Sequence, residues 1–141
     1  MKKDKIIYWS TTVIVSVMML FSAYMYLTAP AMEAAFKHLG FPDWFRTELA
    51  LAKIAGAVVL LAPQISIRIK EWAYTGFAIV FISAFIAHVQ RGDPVSMAAA
   101  PVVFLLLLVV SNIYLQKTLA VTSQLQHTDL QILKNKKVPA A

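Results

Sequence analysis

The apolar residues of this chain are gathered into four long runs, which polar or proline-containing joints separate. The runs cover residues 6–28, 45–62, 71–90 and 95–116. Each run is close to the length of about 20 residues at which a helix crosses a hydrocarbon core about 30 Å thick. Because a segment in lipid must satisfy its backbone hydrogen bonds internally, the pattern predicts four membrane-spanning helices.

The joints between the runs are short and rich in turn-forming residues. They contain Pro30, the sequence GFPD at residues 40–43, Pro63 and the sequence RGDP at residues 91–94. Proline and glycine at such positions end a helix, and short joints place consecutive helices antiparallel. The sequence therefore predicts an all-α integral membrane four-helix bundle with up-down-up-down topology over residues 6–116.

A further short segment, AMEAAFKHL at residues 31–39, lies in the first joint. Its apolar residues recur at helical spacing, while Glu33 and Lys37 form an i,i+4 pair on the other side. This pattern predicts a short interfacial helix in the first extracytoplasmic loop. Two interpretations stay open: a simple connector between the first two spans, or a lid over a pocket that lipid can reach.

Composition supports a membrane location and excludes several function classes. The 141 residues are 60% hydrophobic and 14% charged, which is more apolar than a soluble domain of this size. The absence of cysteine excludes disulfides, thiolate-bound metals and covalent c-type haem. The net charge is +6, but the basic residues lie at the ends of apolar runs and form no patch interleaved with aromatic residues. We therefore expect no nucleic-acid partner.

Basic residues are distributed unequally between the two sides of the predicted bundle. Nine lie on the side of the chain termini: Lys2, Lys3, Lys5, Arg68, Lys70, Lys117, Lys134, Lys136 and Lys137. Three lie on the other side: Lys37, Arg46 and Arg91. Because the excess of Lys and Arg marks the cytoplasmic side, we predict that N-terminal residues 1–5 and a C-terminal tail at residues 117–141 are cytoplasmic.

Ionisable residues cluster near the outer ends of the second and third runs. Glu48 starts the second run, and Lys53 lies about 7 Å deeper at a rise of about 1.5 Å per residue. His88 lies at about the depth of Glu48, with Arg91 and Asp93 just above it. A charge in hydrocarbon costs on the order of 3 kcal/mol and therefore faces the bundle interior or a wet cavity. We predict a polar pocket in the outer leaflet.

The partner of Lys53 distinguishes two interpretations of this cluster. About 500° of helical rotation separates Glu48 from Lys53, which leaves them roughly 140° apart around the axis. In the pocket interpretation, Glu48 from across the pocket or Asp93 above it pairs with Lys53. In the alternative, Glu48 and His88 lie in headgroup water, and Lys53 extends along its stem to the same level.

Two further residues complete the set of candidate ligand-binding residues. Gly56 has small-residue spacing with Ala52, which lets a neighbouring helix approach, and Tyr24 lies near the outer interface, where aromatic anchors are common. The predicted set is Lys53, Glu48, His88, Asp93, Tyr24 and Gly56. The sequence contains no tight ligand spacing such as HExxH, so we predict no metal site.

Two stretches of the chain resemble a known family. They are LGFPDWFRTELALAKIAGAVVLLAP at residues 39–63 and KEWAYTGFAIVFISAFIAHVQRGDP at residues 70–94. In the order and spacing of their motifs they resemble the DoxX-like family of small four-helix bacterial membrane proteins, over about residues 8–116. The resemblance implies a bacterial inner-membrane protein with both termini cytoplasmic. For some relatives it also implies a link to quinone-dependent oxidoreductases.

The resemblance and the predicted pocket together suggest an accessory subunit of a membrane redox system that binds a quinone or another amphiphile such as a lipid. No electron-carrying motif is present, so we expect no catalysis by the chain alone and no covalent cofactor. Two alternatives stay open. One is a non-catalytic structural subunit that pairs with a partner subunit or a second copy. The other is a small-solute or proton transporter, for which the inner half offers little beyond Ser111, Asn112 and Tyr114.

Overall fold

The computed structural model describes residues 2–137, and this part of the chain contains five α-helices. The helices are α1 (Lys2–Thr28), α2 (Pro30–His38), α3 (Asp43–Leu61), α4 (Ile67–Arg91) and α5 (Val95–Lys137). No strand occurs among the described residues. The predicted all-α fold is therefore confirmed.

Glycine and proline account for most of the helix ends. Gly40 and Gly92 follow α2 and α4 with φ values of 78° and 69°, a left-handed conformation that favours glycine.

Helix α5 has no glycine or proline from residue 102 to Lys137, and it continues unbroken beyond the apolar run. The predicted tail at 117–141 is thus helical through Lys137; residues 138–141, like Met1 of the predicted N-terminal segment 1–5, lie outside the described residues.

Three of the helices, α1, α4 and α5, are long and apolar enough to cross a membrane. Helix α3 has 19 residues but carries the charged side chains of Asp43, Arg46, Glu48 and Lys53, which keep it outside this set. The described residues therefore form a helical membrane protein with three clear candidate spans. Whether α3 is a further span depends on where its charges point.

The four long helices pack side by side around one core. Helix α1 contacts α3 and α5, and α4 contacts the same two helices, while α2 lies against α3 and α1. The core includes Val15, Leu60, Phe77, Phe81 and Leu108. Many other large hydrophobic side chains of the four helices point outward and are exposed. Helices that are apolar on all sides are typical of a lipid environment.

Gly56 lets α3 and α4 approach closely. A Cβ atom at this position would lie 2.7 Å from two atoms of the Phe77 ring. Phe77 is 3% exposed and belongs to the core, so its ring has little room to move aside. The contact between these two helices therefore depends on the missing side chain at Gly56.

Candidate functional site

Lys53 lies in the middle of α3 and is only 2% exposed. Its ammonium donates a hydrogen bond of 2.9 Å to Ser22 Oγ and lies 3.5 Å from the centroid of the Tyr26 ring. Among the described residues, no carboxylate lies within 4.0 Å of this nitrogen. Lys53 is thus a buried cation that contacts a hydroxyl and an aromatic face but no counterion.

Helix α1 supplies both partners of Lys53. Ser22 and Tyr26 are four residues apart and therefore lie on one face of α1, and this face packs against α3. Lys53 is ten residues beyond Asp43, the first residue of α3, which corresponds to about 15 Å along the helix. The ammonium therefore lies in the interface between the two helices.

An aromatic cluster, formed by Tyr26, Phe36, Phe41 and Phe45, covers this end of the bundle. The Phe36 side chain of α2 is buried and meets the Tyr26 ring edge-on, with centroids 5.0 Å apart. Phe41 and Phe45 stack at 4.9 Å, and both contact Phe36. Helix α2 thus lies over the ring that Lys53 contacts.

Arg46 is a second cation that contacts Tyr26. Its Nη1 donates to the Tyr26 carbonyl oxygen, and its Nη2 lies 3.9 Å from Glu33 Oε2. The side chain is 14% exposed, and its Nε is buried with no acceptor among the described residues. Arg46 and Lys53 are seven residues apart, which puts them on the same face of α3. The sequence pattern indicated Arg46 only as a charge on the outer side. Its seven-residue spacing from Lys53 was the signal that connects the two cations.

The structure places Glu48 and Tyr24 on the exposed surface of α3 and α1, and Tyr24 is 62% exposed. Neither Glu48, His88 nor Asp93 forms a hydrogen bond or an ion pair with Lys53 in the described part of the chain. Gly56, one turn further along α3, contacts α4 through Phe77. Of the six predicted residues, the structure therefore joins His88 to Asp93 and connects Lys53 to α1.

His88 and Asp93 form a local pair at the end of α4. The left-handed conformation of Gly92 reverses the chain, so that the Asp93 amide bonds to the His88 carbonyl at 3.1 Å. The side chains then meet, with 2.7 Å between His88 Nδ1 and Asp93 Oδ2, and Arg91 Nε lies 3.9 Å from the same carboxylate oxygen. Within residues 2–137, no three His, Asp or Glu side chains gather as a metal site.

A second polar cluster, which the sequence analysis missed, lies at the opposite end of the bundle. Ser111 of α5 shares hydrogen bonds of 2.6 Å with Thr12 of α1 and 2.7 Å with Tyr74 of α4. All three side chains are buried. Ser16, one turn after Thr12, is fully buried, and its hydroxyl has no partner among the described residues. The four-residue spacing from Tyr8 through Thr12 to Ser16 was the signal in the sequence.

Lys70 is a buried lysine beside this cluster. It is 5% exposed, and its ammonium donates to Tyr8 Oη at 3.3 Å and to the Leu60 carbonyl oxygen at 3.4 Å. In the sequence, Lys70 was predicted only as one of the basic residues of the cytoplasmic side. The two buried lysines of the described chain thus both contact α1, one toward each end of it.

A groove of about 270 Å³ runs between α4 and α5. It is lined by Tyr74, Thr75, Ala78, Leu108, Val109, Asn112 and Ile113. Tyr74 connects this groove to the buried hydroxyls, whereas Lys53 does not line it. Ser22 and Tyr26 of α1 lie against the Lys53 ammonium, so a ligand would reach it by displacing one of these side chains.

Comparison with known proteins agrees with the resemblance seen in the sequence. The model of the DoxX-like family matches residues 10–111, a range that includes Lys53 and Arg46 with their contacts and the hydroxyls of Thr12, Tyr74 and Ser111. No curated protein and no solved structure gives a significant match. The family match covers well over half of the chain, and the chain therefore belongs to the DoxX-like family.

Proposed function

We propose that this chain is a four-span membrane protein that binds the polar head of an amphiphilic small molecule, a quinone or a lipid, at Lys53. Helix α3 is the fourth span, because its 19 residues reach about 28 Å and because Arg46 and Lys53 turn toward α1 rather than toward lipid. The helices then alternate up-down-up-down, with both termini on the cytoplasmic side of the bacterial inner membrane.

The single observation that supports this proposal is the buried ammonium of Lys53, which has no counterion among residues 2–137. A buried charge without a counterion costs several kcal/mol, in the region of 3–5 when a partner is missing, and an intramembrane ionisable residue is by default a functional candidate. An ammonium has three hydrogen-bond donors, and Ser22 accepts from one of them. The remaining donors are suited to the oxygen atoms of a ligand head.

The proposal assigns different positions to the other predicted residues. Gly56 brings α4 close on the inner side of Lys53, whereas Glu48 and Tyr24 lie at the outer rim, where a ligand would enter from lipid. His88 and Asp93 form a hydrogen-bonded pair of their own at the end of α4. The chain has no cysteine and no electron-carrying motif, so we assign it an accessory role beside a redox partner subunit.

Native mass spectrometry of the protein extracted with its own lipids tests this proposal. We expect the unaltered chain to retain a small molecule of quinone or lipid mass, and Lys53→Met to lose it. Lys70→Met is the matched control, since Lys70 is also buried and also bonded to a hydroxyl of α1, and it should retain the adduct. An adduct that persists in Lys53→Met would contradict the proposal. No adduct in any form, with an altered oligomer distribution, would favour the structural alternative.

The buried hydroxyls favour proton or small-solute transport as a second candidate. Tyr8, Thr12, Ser111 and Tyr74 extend from Lys70 into the bundle, and hydroxyls both donate and accept hydrogen bonds. This is the polar inner half that the sequence did not reveal. Liposomes that contain the protein and a pH-sensitive dye would test it: transport requires a proton flux that Ser111→Ala reduces.

A further inference from the structure

We infer that Lys53 and Arg46 together bind an anionic phosphate group between α1, α2 and α3, carried by a lipid headgroup or by a free phosphate. This inference rests on the proposed function and narrows its ligand class. It favours a phosphate-bearing ligand over a neutral quinone, because it is based on two cations rather than on one.

The two cations meet at one residue of α1. Arg46 donates to the Tyr26 carbonyl oxygen, and Lys53 contacts the face of the Tyr26 ring at 3.5 Å. Their spacing of seven residues puts both on one face of α3. The Lys53 side chain leans toward the helix N-terminus, which is the direction of Arg46. One headgroup between the helices can therefore reach both cations.

The nearby carboxylates compensate these cations only in part. Glu33 Oε1 accepts a hydrogen bond of 2.6 Å from Lys37, while its Oε2 stays 3.9 Å from Arg46. The hydrogen bond from Lys37 holds the pKa of the Glu33 carboxyl below its ordinary value, so this carboxylate is engaged by Lys37. Asp43 Oδ2 lies 3.8 Å from the Lys37 ammonium as well. Lys37, Arg46 and Lys53 thus outnumber Glu33 and Asp43 by one positive charge.

Unused hydrogen-bond donors point to the same ligand. Arg46 Nε is buried and has no acceptor among the described residues, and Lys53 has one hydroxyl acceptor for three donors. Glu48, the other carboxylate of α3, is exposed and forms no ion pair in the described chain. Guanidinium and ammonium groups are the usual ligands of phosphate in proteins. A neutral carbonyl ligand could accept these bonds but would leave the excess charge in place.

The position of the site suits a headgroup. Arg46 is the fourth residue of α3, at the end of the bundle that α2 covers, and Lys53 lies about 10 Å further along the helix. The exposed apolar surfaces of α1 and α3 flank this face. A phosphate at Arg46 and Lys53 would therefore leave acyl chains in contact with apolar side chains.

Native mass spectrometry of the full-length protein in detergent tests the inference with four probes: dioleoylphosphatidylglycerol, dioleoylphosphatidylcholine, decylubiquinone and inorganic phosphate. We expect the unaltered protein to retain the anionic lipid about tenfold more than the zwitterionic lipid. Arg46→Gln and Lys53→Met should each bring this ratio close to unity. Arg91→Gln and Lys70→Met are the matched controls, since each removes one positive charge elsewhere, and both should keep the preference.

Glu33→Gln provides a variant with the opposite expected effect. Glu33 is partly exposed and contributes only surface ion pairs, so the variant should fold. Because it removes the carboxylate that lies within 4.0 Å of Arg46 in the described part of the chain, it should raise retention of the anionic lipid by about threefold. A gain of binding cannot result from misfolding, which keeps the inference testable if Arg46→Gln does not fold.

The outcomes distinguish a lipid headgroup from a free phosphate as the ligand, and they distinguish the phosphate inference from the proposed function. Preference for the anionic lipid supports a headgroup, whereas thermal stabilisation by millimolar inorganic phosphate, lost in Arg46→Gln, supports a free phosphate. Equal retention of both lipids, with no phosphate effect, overturns the inference. If decylubiquinone binds under those conditions and is lost in Lys53→Met, the proposed function stands without the inference. If none of the four probes binds, both proposals are wrong.

Discussion

The contact between Gly56 and Phe77 gives a prediction whose size follows from the structure. A Cβ atom at Gly56 would lie 2.7 Å from the Phe77 ring, whereas a Cβ atom at Gly76 would meet nothing within 4 Å. Both glycines lie inside helices, Gly56 in α3 and Gly76 in α4. Alanine at Gly56 and alanine at Gly76 therefore differ mainly in the steric contact that each creates.

The difference between these two variants isolates the cost of that contact. Alanine in place of glycine inside a helix gains about 1 kcal/mol from helix propensity, and this gain is common to both positions. Overpacking a close contact costs about 1–3 kcal/mol, and only Gly56→Ala incurs it, because the Phe77 ring is enclosed by the core. We expect Gly56→Ala to be less stable than Gly76→Ala by about 1–3 kcal/mol.

Unfolding in mixed micelles, followed by the loss of helical circular dichroism, measures this difference. The reasoning would be refuted if the two variants had the same free energy of unfolding, since that would mean that α3 and α4 can separate without cost. A Phe77→Ala background supplies the control. There the ring is absent, so Gly56→Ala and Gly76→Ala should differ by less than about 0.5 kcal/mol.

Three further predictions use the same unfolding measurement. Lys53→Met in ligand-free protein should raise the free energy of unfolding by about 1–2 kcal/mol, because it removes a buried charge without a counterion; a loss of similar size would instead assign Lys53 a role in holding α1 against α3. Ser111→Ala should lower the free energy of unfolding by about 1–3 kcal/mol, because two buried hydroxyls lose their shared partner. Ser83→Ala, on the exposed surface of α4, is the control and should leave it unchanged. Equal effects of the two substitutions would contradict the hydroxyl cluster. The hydrogen bond from Lys37 lowers the pKa of Glu33 in the folded protein. The pair therefore stabilises the fold at pH values above the ordinary Glu pKa of 4.5, and this stabilisation is lost as the pH falls through the lower pKa of the folded state. The unaltered protein and Glu33→Gln should therefore differ in their unfolding midpoints near neutral pH but not in acid. A difference in midpoint that persists in acid would show that the Glu33–Lys37 pair does not cause it.

Periodicity and turn residues were sufficient to predict the helices. An apolar run of about 20 residues indicates a membrane span whichever helices it packs against. Glycines such as Gly40 and Gly92 mark helix ends, because the left-handed conformation after a helix is a local property of the backbone. The extension of α5 to Lys137 follows a different rule. Its last third is polar, so hydropathy ends at residue 116, but no glycine or proline interrupts the helix there.

The site was harder to predict because it depends on how the helices are rotated. The depth of Lys53 follows from its place in the apolar run, and the rotation from Glu48 correctly separates these two side chains. Its actual partner, Ser22, is one of several serines and threonines distributed around α1. Only the packing of α1 on α3 selects which of them faces Lys53. Arg46 was missed for the same reason, since its position near the helix end suggested a solvated charge.

The two buried lysines differ in a way that explains why Lys53 is the better functional candidate. Lys70 donates to the carbonyl oxygen of Leu60, which belongs to the last turn of α3, where carbonyl groups lack helical partners. A cation at a helix C-terminus stabilises the fold by itself, so the position of Lys70 has a structural explanation. Lys53 is in the middle of α3, where every backbone carbonyl is engaged within the helix. Its ammonium gains no such stabilisation and contacts only a hydroxyl and an aromatic ring, which is why we propose Lys53 rather than Lys70 as the ligand-binding residue.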